Sequence, residues 1–254
     1  MKISKIKKTG KKYKILFDND EVITTYDDVI INNSLLFDKN IDNDLLNKIN
    51  NDTSYYDIYY KTVNYITKKL RSEKEINEFI DKNNVSTKEK KLVIEKLKSL
   101  NLINDLNFTK AFISDRINLS NDGPHKIKKD LLQHNINESI IDEEIRKIDN
   151  ELLENKINKL VMKKVKNSKY RGYVLKQKIL NDLINLGYDK TDIINTYENI
   201  DIDSSDLLKK EYEKIYKKLR VKYEGIELEN KIKSKLYQKG FKIDDINNIL
   251  YYYR

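Results

Sequence analysis

The chain has 254 residues, with 50 Lys and Arg against 41 Asp and Glu, a net charge of +9 and no cysteine. The length suits one or two ordinary domains, and the missing cysteine rules out disulfides, zinc–thiolate sites and thiol catalysis, so a cytoplasmic location is expected. An apolar share of 39% and a charged share of 36%, against the usual ~45–50% and ~25%, fit a thin, elongated object with shallow local cores.

The first 26 residues read as strands. Lys2–Lys7, Lys12–Phe17 and Glu21–Thr25 are short strand-like runs, and Thr9-Gly10 and Asp18-Asn19-Asp20 supply the turns. A small three-stranded meander is expected, then a short helix near Asp27–Leu36, together forming a unit over 1–37. Such a sheet is marginal alone and should lean on neighbouring helices. Residues 38–54 are polar and Asn/Asp-rich, and read as a linker with a short helix.

From about residue 55 the chain repeats. Asn84-Val85, Asn135-Ile136, Gly187-Tyr188 and Gly240-Phe241 fall 51, 52 and 53 residues apart. Each pairs a residue that tolerates positive φ with an apolar anchor, the mark of a helix stopping in the left-handed cap. Nine residues before each anchor sit Ile76, Ile127, Ile179 and Ile232, and four later Ile80, Leu131, Leu183 and Leu236. This is the buried stripe of a middle helix. Ile94, Ile145, Tyr197 and Leu250, each followed three residues on by Leu97, Ile148, Ile200 and Tyr253, give a third helix. The first helices carry Val63, Ile66 and Leu70; Phe108, Phe112 and Ile113; Leu160, Val161 and Val165; Tyr212, Ile215 and Leu219. The fold class is therefore mainly α: tandem three-helix repeats at 55–104, 105–151, 152–202 and 203–254 forming an elongated, curved array behind the β-meander.

Capping signals agree. Ser72 with Glu75, and Ser86 with Glu89, spell capping boxes. Pro124, the only proline, falls at the first position of a middle helix, where a missing N–H is harmless.

Charge is segregated along the array. Lys156, Lys159, Lys163, Lys164, Lys166, Lys169, Arg171, Lys176 and Lys178 follow one another with no acid among them, a candidate face for acidic protein groups or DNA phosphates. The segment before it, read as a third helix over Asn137–Glu154, is acidic. A second basic run covers Lys2, Lys5, Lys7, Lys8, Lys11, Lys12 and Lys14; it lacks the apolar core of a signal peptide. No apolar run approaches the ~18 residues of a membrane span, so no membrane partner is expected.

Catalytic machinery is not legible. The six glycines are scattered and form no phosphate loop. His125 and His134 lie nine apart on different faces of one helix, with no metal-ligand spacing, and Glu143-Glu144 is an adjacent pair whose members point apart. No catalytic residue, cofactor or metal is expected, and the chain is not read as an enzyme.

The stretch Tyr65-Ile66-Thr67-Lys68-Lys69-Leu70-Arg71-Ser72-Glu73-Lys74-Glu75-Ile76 resembles the entry motif of the RecX family, Tyr-Leu…Arg-Ser-x-x-Glu-Leu. Leu102-Ile103-Asn104-Asp105, Phe108, Phe112 and Arg116, then Gly123-Pro124, Ile127, Leu131 and Asn135-Ile136, are similar to its next segments. Asn101, Asn104, Thr109, Asp130 and Asn135 depart from the common Gly, Asp, Ala, Glu and Gly. The resemblance covers nearly the whole chain, and its motif residues are Arg71, Ser72, Glu75, Asp105, Phe108, Phe112, Arg116, Gly123 and Pro124. It implies a non-enzymatic regulator in DNA repair and recombination that binds RecA recombinase, lodges in the groove of the RecA–DNA filament and modulates strand exchange and ATP hydrolysis, inhibition being the family's usual behaviour; a monomer is expected. It leaves open direct DNA contact through the basic face. A stand-alone DNA-binding helical module and a generic protein-interaction scaffold are the alternative readings.

Overall fold

A computed structural model describes residues 1–37 and 39–253. It divides into two compact units, Met1–Phe108 and Thr109–Arg254.

The first unit opens with an antiparallel sheet of β1 (Ile3–Thr9), β2 (Lys12–Phe17) and β3 (Val22–Thr25) in the order β1-β2-β3. Ile15 pairs with Ile6 and Ile23, and Lys14 with Lys7 and Thr24, so alternate residues face opposite sides. The inner side buries Ile15, Phe17 and Thr25, and Ile15 and Phe17 pack with Val29 of α1 (Asp27–Asn32) and Ile49 of α2 (Asn43–Ile66). The helix after β3 ends earlier than the sequence suggests, because Asn33 turns inward and its side-chain amide bonds to Val29 O and Asp52. Lys12 Nζ and Tyr26 Oη both donate to Asp57 Oδ1 at 2.6 Å, tying sheet to helix.

The expected linker is mostly helix. Asp42 caps α2 by accepting from Leu45 N at 2.8 Å, and the helix runs 24 residues without a break. Its Asn and Asp residues hid the stripe of Leu45, Leu46 and Ile49 that packs against the sheet core. Leu70, read as part of this helix's stripe, lies past its end and is 43% exposed. Repeat one continues with α3 (Glu73–Asp81) and α4 (Thr87–Ser99), and Ile76, Ile80, Val93 and Leu97 are fully buried between them. Both capping boxes form.

The helix α5 (Asp105–Leu119) leads into the second unit, followed by α6 (Pro124–Gln133), α7 (Glu138–Arg146), α8 (Asn150–Asn167), α9 (Gly172–Asn185), α10 (Lys190–Glu198), α11 (Ser205–Leu219), α12 (Gly225–Gln238) and α13 (Ile243–Tyr252). The acidic stretch read as one helix over Asn137–Glu154 is two: α7 stops at Arg146, and Asp149 caps a new start by accepting from Glu151 N. Local apolar cores hold repeats three and four: Val161, Ile179, Leu183 and Ile193 in one, Tyr212, Ile232, Leu236 and Ile246 in the other. All four repeat stops are left-handed, with φ of 53° at Asn84, 59° at Asn135, 90° at Gly187 and 87° at Gly240. The anchors Ile136, Tyr188 and Phe241 are buried beneath their stops.

Candidate functional site

The middle helices of the second unit are joined end to end. At the start of α6, Gly123 N donates to Leu186 O at 2.6 Å and His125 N to Gly187 O at 3.0 Å, so the last carbonyls of α9 satisfy the first amides of α6. At the start of α9, Arg171 N donates to Lys239 O at 2.8 Å, the same bond between α9 and α12. A helix leaves four amides unsatisfied at its start and four carbonyls at its end; here each end completes the next, and the positive end of one dipole meets the negative end of another. The approach is close enough to require glycine. A Cβ on Gly123 would sit 2.5 Å from the carbonyl carbon of Gly187, and one on Gly172 would sit 2.6 Å from Gly240 O.

Beside the first joint lies a charged cluster. Asp122 is buried, and its carboxylate accepts from Arg116 at 3.0 Å and Lys126 at 2.6 Å; Arg116 also reaches Asp130 at 3.3 Å. Burial alone would push the Asp122 carboxyl up, but Lys126, Ser120 and Arg116 together hold it below the usual carboxylate range.

The nine bases of the acid-free run do not act alike. Lys156 turns inward, donating to Ser120 O at 3.0 Å and to Ile117 O, and burial pushes its ammonium down despite the nearby Asp122. Arg171 folds back over the end of α8, its guanidinium donating to Tyr170 O at 2.8 Å and Ser168 O at 3.2 Å, and burial lowers it too. Lys164 pairs with Asp182 at 2.5 Å and Lys176 with Glu198 at 2.7 Å. Lys169 and Lys178 lie over the Tyr170 ring, 5.6 and 4.6 Å from its centre. Lys164, Lys169, Tyr170, Lys178 and Asp182 line an open groove of about 390 Å³ between α8 and α9. Lys159, Lys163 and Lys166 remain exposed. Their i, i+4, i+7 spacing sets them along one face of α8. The sequence groups nine bases; the structure offers an exposed stripe of three lysines on α8 and a basic groove, and commits the rest to its own backbone and carboxylates.

The pattern described as "RecX, second three-helix domain" matches residues 104–144, and "RecX, third three-helix domain" matches 201–250. A protein of Streptococcus agalactiae named "Regulatory protein RecX" is 32% identical over 98% of each chain. The chain belongs to the RecX family. A RecX protein of Streptococcus gordonii is 27% identical, again over 98% of each chain. The fold is shared with a crystal structure described as "regulatory protein RecX", at a TM-score of 0.68 and 23% identity over 78% of this chain and 98% of that one. The RecX structure from Lactobacillus salivarius superposes at 0.55 with 24% identity, over 58% of this chain and 98% of its own.

The RecX motif residues have structural work within their own units. Arg71 pairs with Glu75 at 3.0 Å and lies 4.4 Å from the Tyr65 ring centre, while Ser72 and Glu75 close the capping box. Asp105 starts α5, where burial and the Glu73 charge push its carboxyl up against the pull of Lys98. Phe108 is buried, Phe112 meets His134 edge-on at 5.6 Å, and Arg116 lies over Phe112 and grips Asp122. Gly123 makes the joint and Pro124 opens α6. His125 is exposed, 3.9 Å from Asp189 across the joint. Sequence reasoning missed Asp122, Lys126, Leu186 and Lys239 as parts of these contacts. A Gly-Pro start facing a Gly-Tyr stop was the available signal for one joint, and nothing in Lys239 pointed to the other.

Proposed function

We propose that this chain regulates the RecA recombinase by binding, without chemistry of its own. It lodges as a monomer in the groove of the cytoplasmic RecA–DNA filament and lowers strand exchange and ATP hydrolysis. The observation that carries this reading is end-to-end similarity to proteins named as RecX regulators, 98% of the chain at 32% identity. The exposed lysines of α8 and the adjacent groove supply contacts suited to acidic side chains of RecA or to phosphates of the enclosed DNA. A surface that neutralises six or more phosphates loses about a thousandfold or more in affinity between ~50 and ~200 mM salt.

The test is RecA-dependent ATP hydrolysis and strand exchange on single-stranded DNA with the cognate recombinase. Saturating wild-type protein is expected to lower both, and Lys159→Glu with Lys163→Glu and Lys166→Glu to restore them. Rates unchanged by saturating wild-type protein would rule out the regulator. Undiminished inhibition by the variant would remove α8 from the interface.

A further inference from the structure

We propose that the solvent side of the N-terminal sheet is a sequence-neutral contact for the phosphate backbone of duplex DNA. Residues 1–17 contain seven lysines and no acid. Lys12 is taken by Asp57 at 2.6 Å, while Lys5, Lys7, Lys8, Lys11 and Lys14 are exposed and have no ion-pair partner among the described residues. Lys7 stands directly across from Lys14 in the ladder, and Lys5 follows on the same side two residues before Lys7. Directly opposed residues have Cβ atoms about 4.5–5.5 Å apart, and like charges there are destabilising. A three-stranded sheet, marginal by itself, thus keeps an unfavourable pair where Thr or Gln would serve the fold better. That is the expected pattern when the charge serves a ligand.

The acids of the sheet, Asp18, Asp20 and Glu21, sit at the β2–β3 turn, away from the Lys8–Lys11 turn, so the sheet is polarised along its length. The rest of the solvent side is Thr9, Lys12, Leu16, Val22 and Thr24, which continue the register of Lys14 and its partners. It carries no aromatic residue: Tyr13 belongs to the opposite side, where its ring centre lies 5.7 Å from Lys8 Nζ. Single-strand binding draws on aromatic platforms for exposed bases. A lysine side without one suits a duplex, which keeps its bases stacked and presents phosphates, and whose major groove admits a two-stranded ribbon.

The test needs no recombinase, so it stands apart from the filament reading. Binding of the full chain to a mixed-sequence ~30-base-pair duplex and to an oligo-dT of equal length is followed by fluorescence anisotropy across a salt series. Wild type is expected to prefer the duplex. Lys5→Gln with Lys7→Gln and Lys14→Gln should weaken duplex binding at least tenfold and flatten the log–log salt slope by about 0.9 for each lost contact. It should keep or raise Tm, because the Lys7–Lys14 repulsion is gone. The corresponding Lys→Arg triple should retain binding. Lys214→Gln with Lys217→Gln and Lys218→Gln, which removes equal charge from exposed positions of α11, should leave the duplex affinity within twofold of wild type. Unchanged affinity and slope in the sheet variant, an equal loss in the α11 variant, or tighter binding of oligo-dT than of the duplex would each overturn the proposal.

Discussion

The amide of Arg171 donates to the carbonyl of Lys239 at 2.8 Å, and one repeat earlier the amide of Gly123 donates to the carbonyl of Leu186 at 2.6 Å. Both bonds run from the residue that precedes a middle helix to the residue that follows the middle helix of the next repeat. The joint is therefore a property of main-chain positions, and its strength can be probed where a side chain is forbidden.

Gly123→Ala isolates that joint. Gly123 has φ of −92°, which any residue adopts, so the only penalty is the Cβ placed 2.5 Å from the Gly187 carbonyl. Overpacking of this kind costs about 1–3 kcal/mol. Gly225→Ala gives the comparison: φ is +56° and nothing lies within 4 Å of the added Cβ. Left-handed strain alone, ~1–2 kcal/mol, is expected there. Urea denaturation of both should show a lower midpoint in each, but only Gly123→Ala should speed amide exchange at His125 and Gly123's neighbours. Protection retained at His125 would mean that the joint tolerates a methyl group.

Asp122 should leave an acid signature. Its folded carboxyl lies below the usual range, so its stabilisation is fully present above the ordinary value of ~3.9 and fades as pH falls through the lower folded value. Asp122→Asn replaces the carboxylate that Arg116 and Lys126 share with a neutral amide holding one acceptor oxygen, and is expected to cost about 1–3 kcal/mol at neutral pH. Melting temperature followed from about pH 6 to about pH 2 should fall less steeply in the variant. Parallel acid limbs in the two proteins would discard this assignment.

Lys156 and Lys163 look alike in sequence and should behave oppositely. Lys156→Met abandons the Ile117 and Ser120 carbonyls and is expected to lower stability by ~1–3 kcal/mol. Lys163→Met should change it by less than about 0.5 kcal/mol, while weakening binding to RecA-coated DNA. Chemical denaturation beside a filament pull-down separates the two effects; equal stability losses would contradict the structure.

Arg171→Lys is not conservative here. Tyr170 O, Ser168 O and, at 3.5 Å, Val165 O all converge on one guanidinium nitrogen, Nη1. A lysine ammonium has three donors, but it is more strongly hydrated than a guanidinium and costs more to bury, so a loss of ~1–2 kcal/mol is expected, read as a lower urea midpoint. An unchanged midpoint would show that this cap contributes nothing.

The repeat was legible because its stops rest on local chemistry. Asn84, Asn135, Gly187 and Gly240 take positive φ, which few residue types tolerate, and apolar anchors follow each of them. The helix α2 was obscured because Asn and Asp supply six of its first ten residues while few apolar side chains meet the sheet. The basic run was legible as composition but not as a site. Lys156 and Arg171 bond to carbonyls, and a carbonyl has no letter in a sequence. The same blindness hid the joints: Arg171 occupies the place of Gly123, and Lys239 that of Leu186, with no shared side-chain chemistry.

Such splices are indifferent to which side chains flank them. Successive modules can differ in their surface residues and still be held in register by groups that every residue but proline carries. What a side chain cannot give is room, and so the architecture rests on the glycines at these seams, where an added Cβ would collide with the facing backbone.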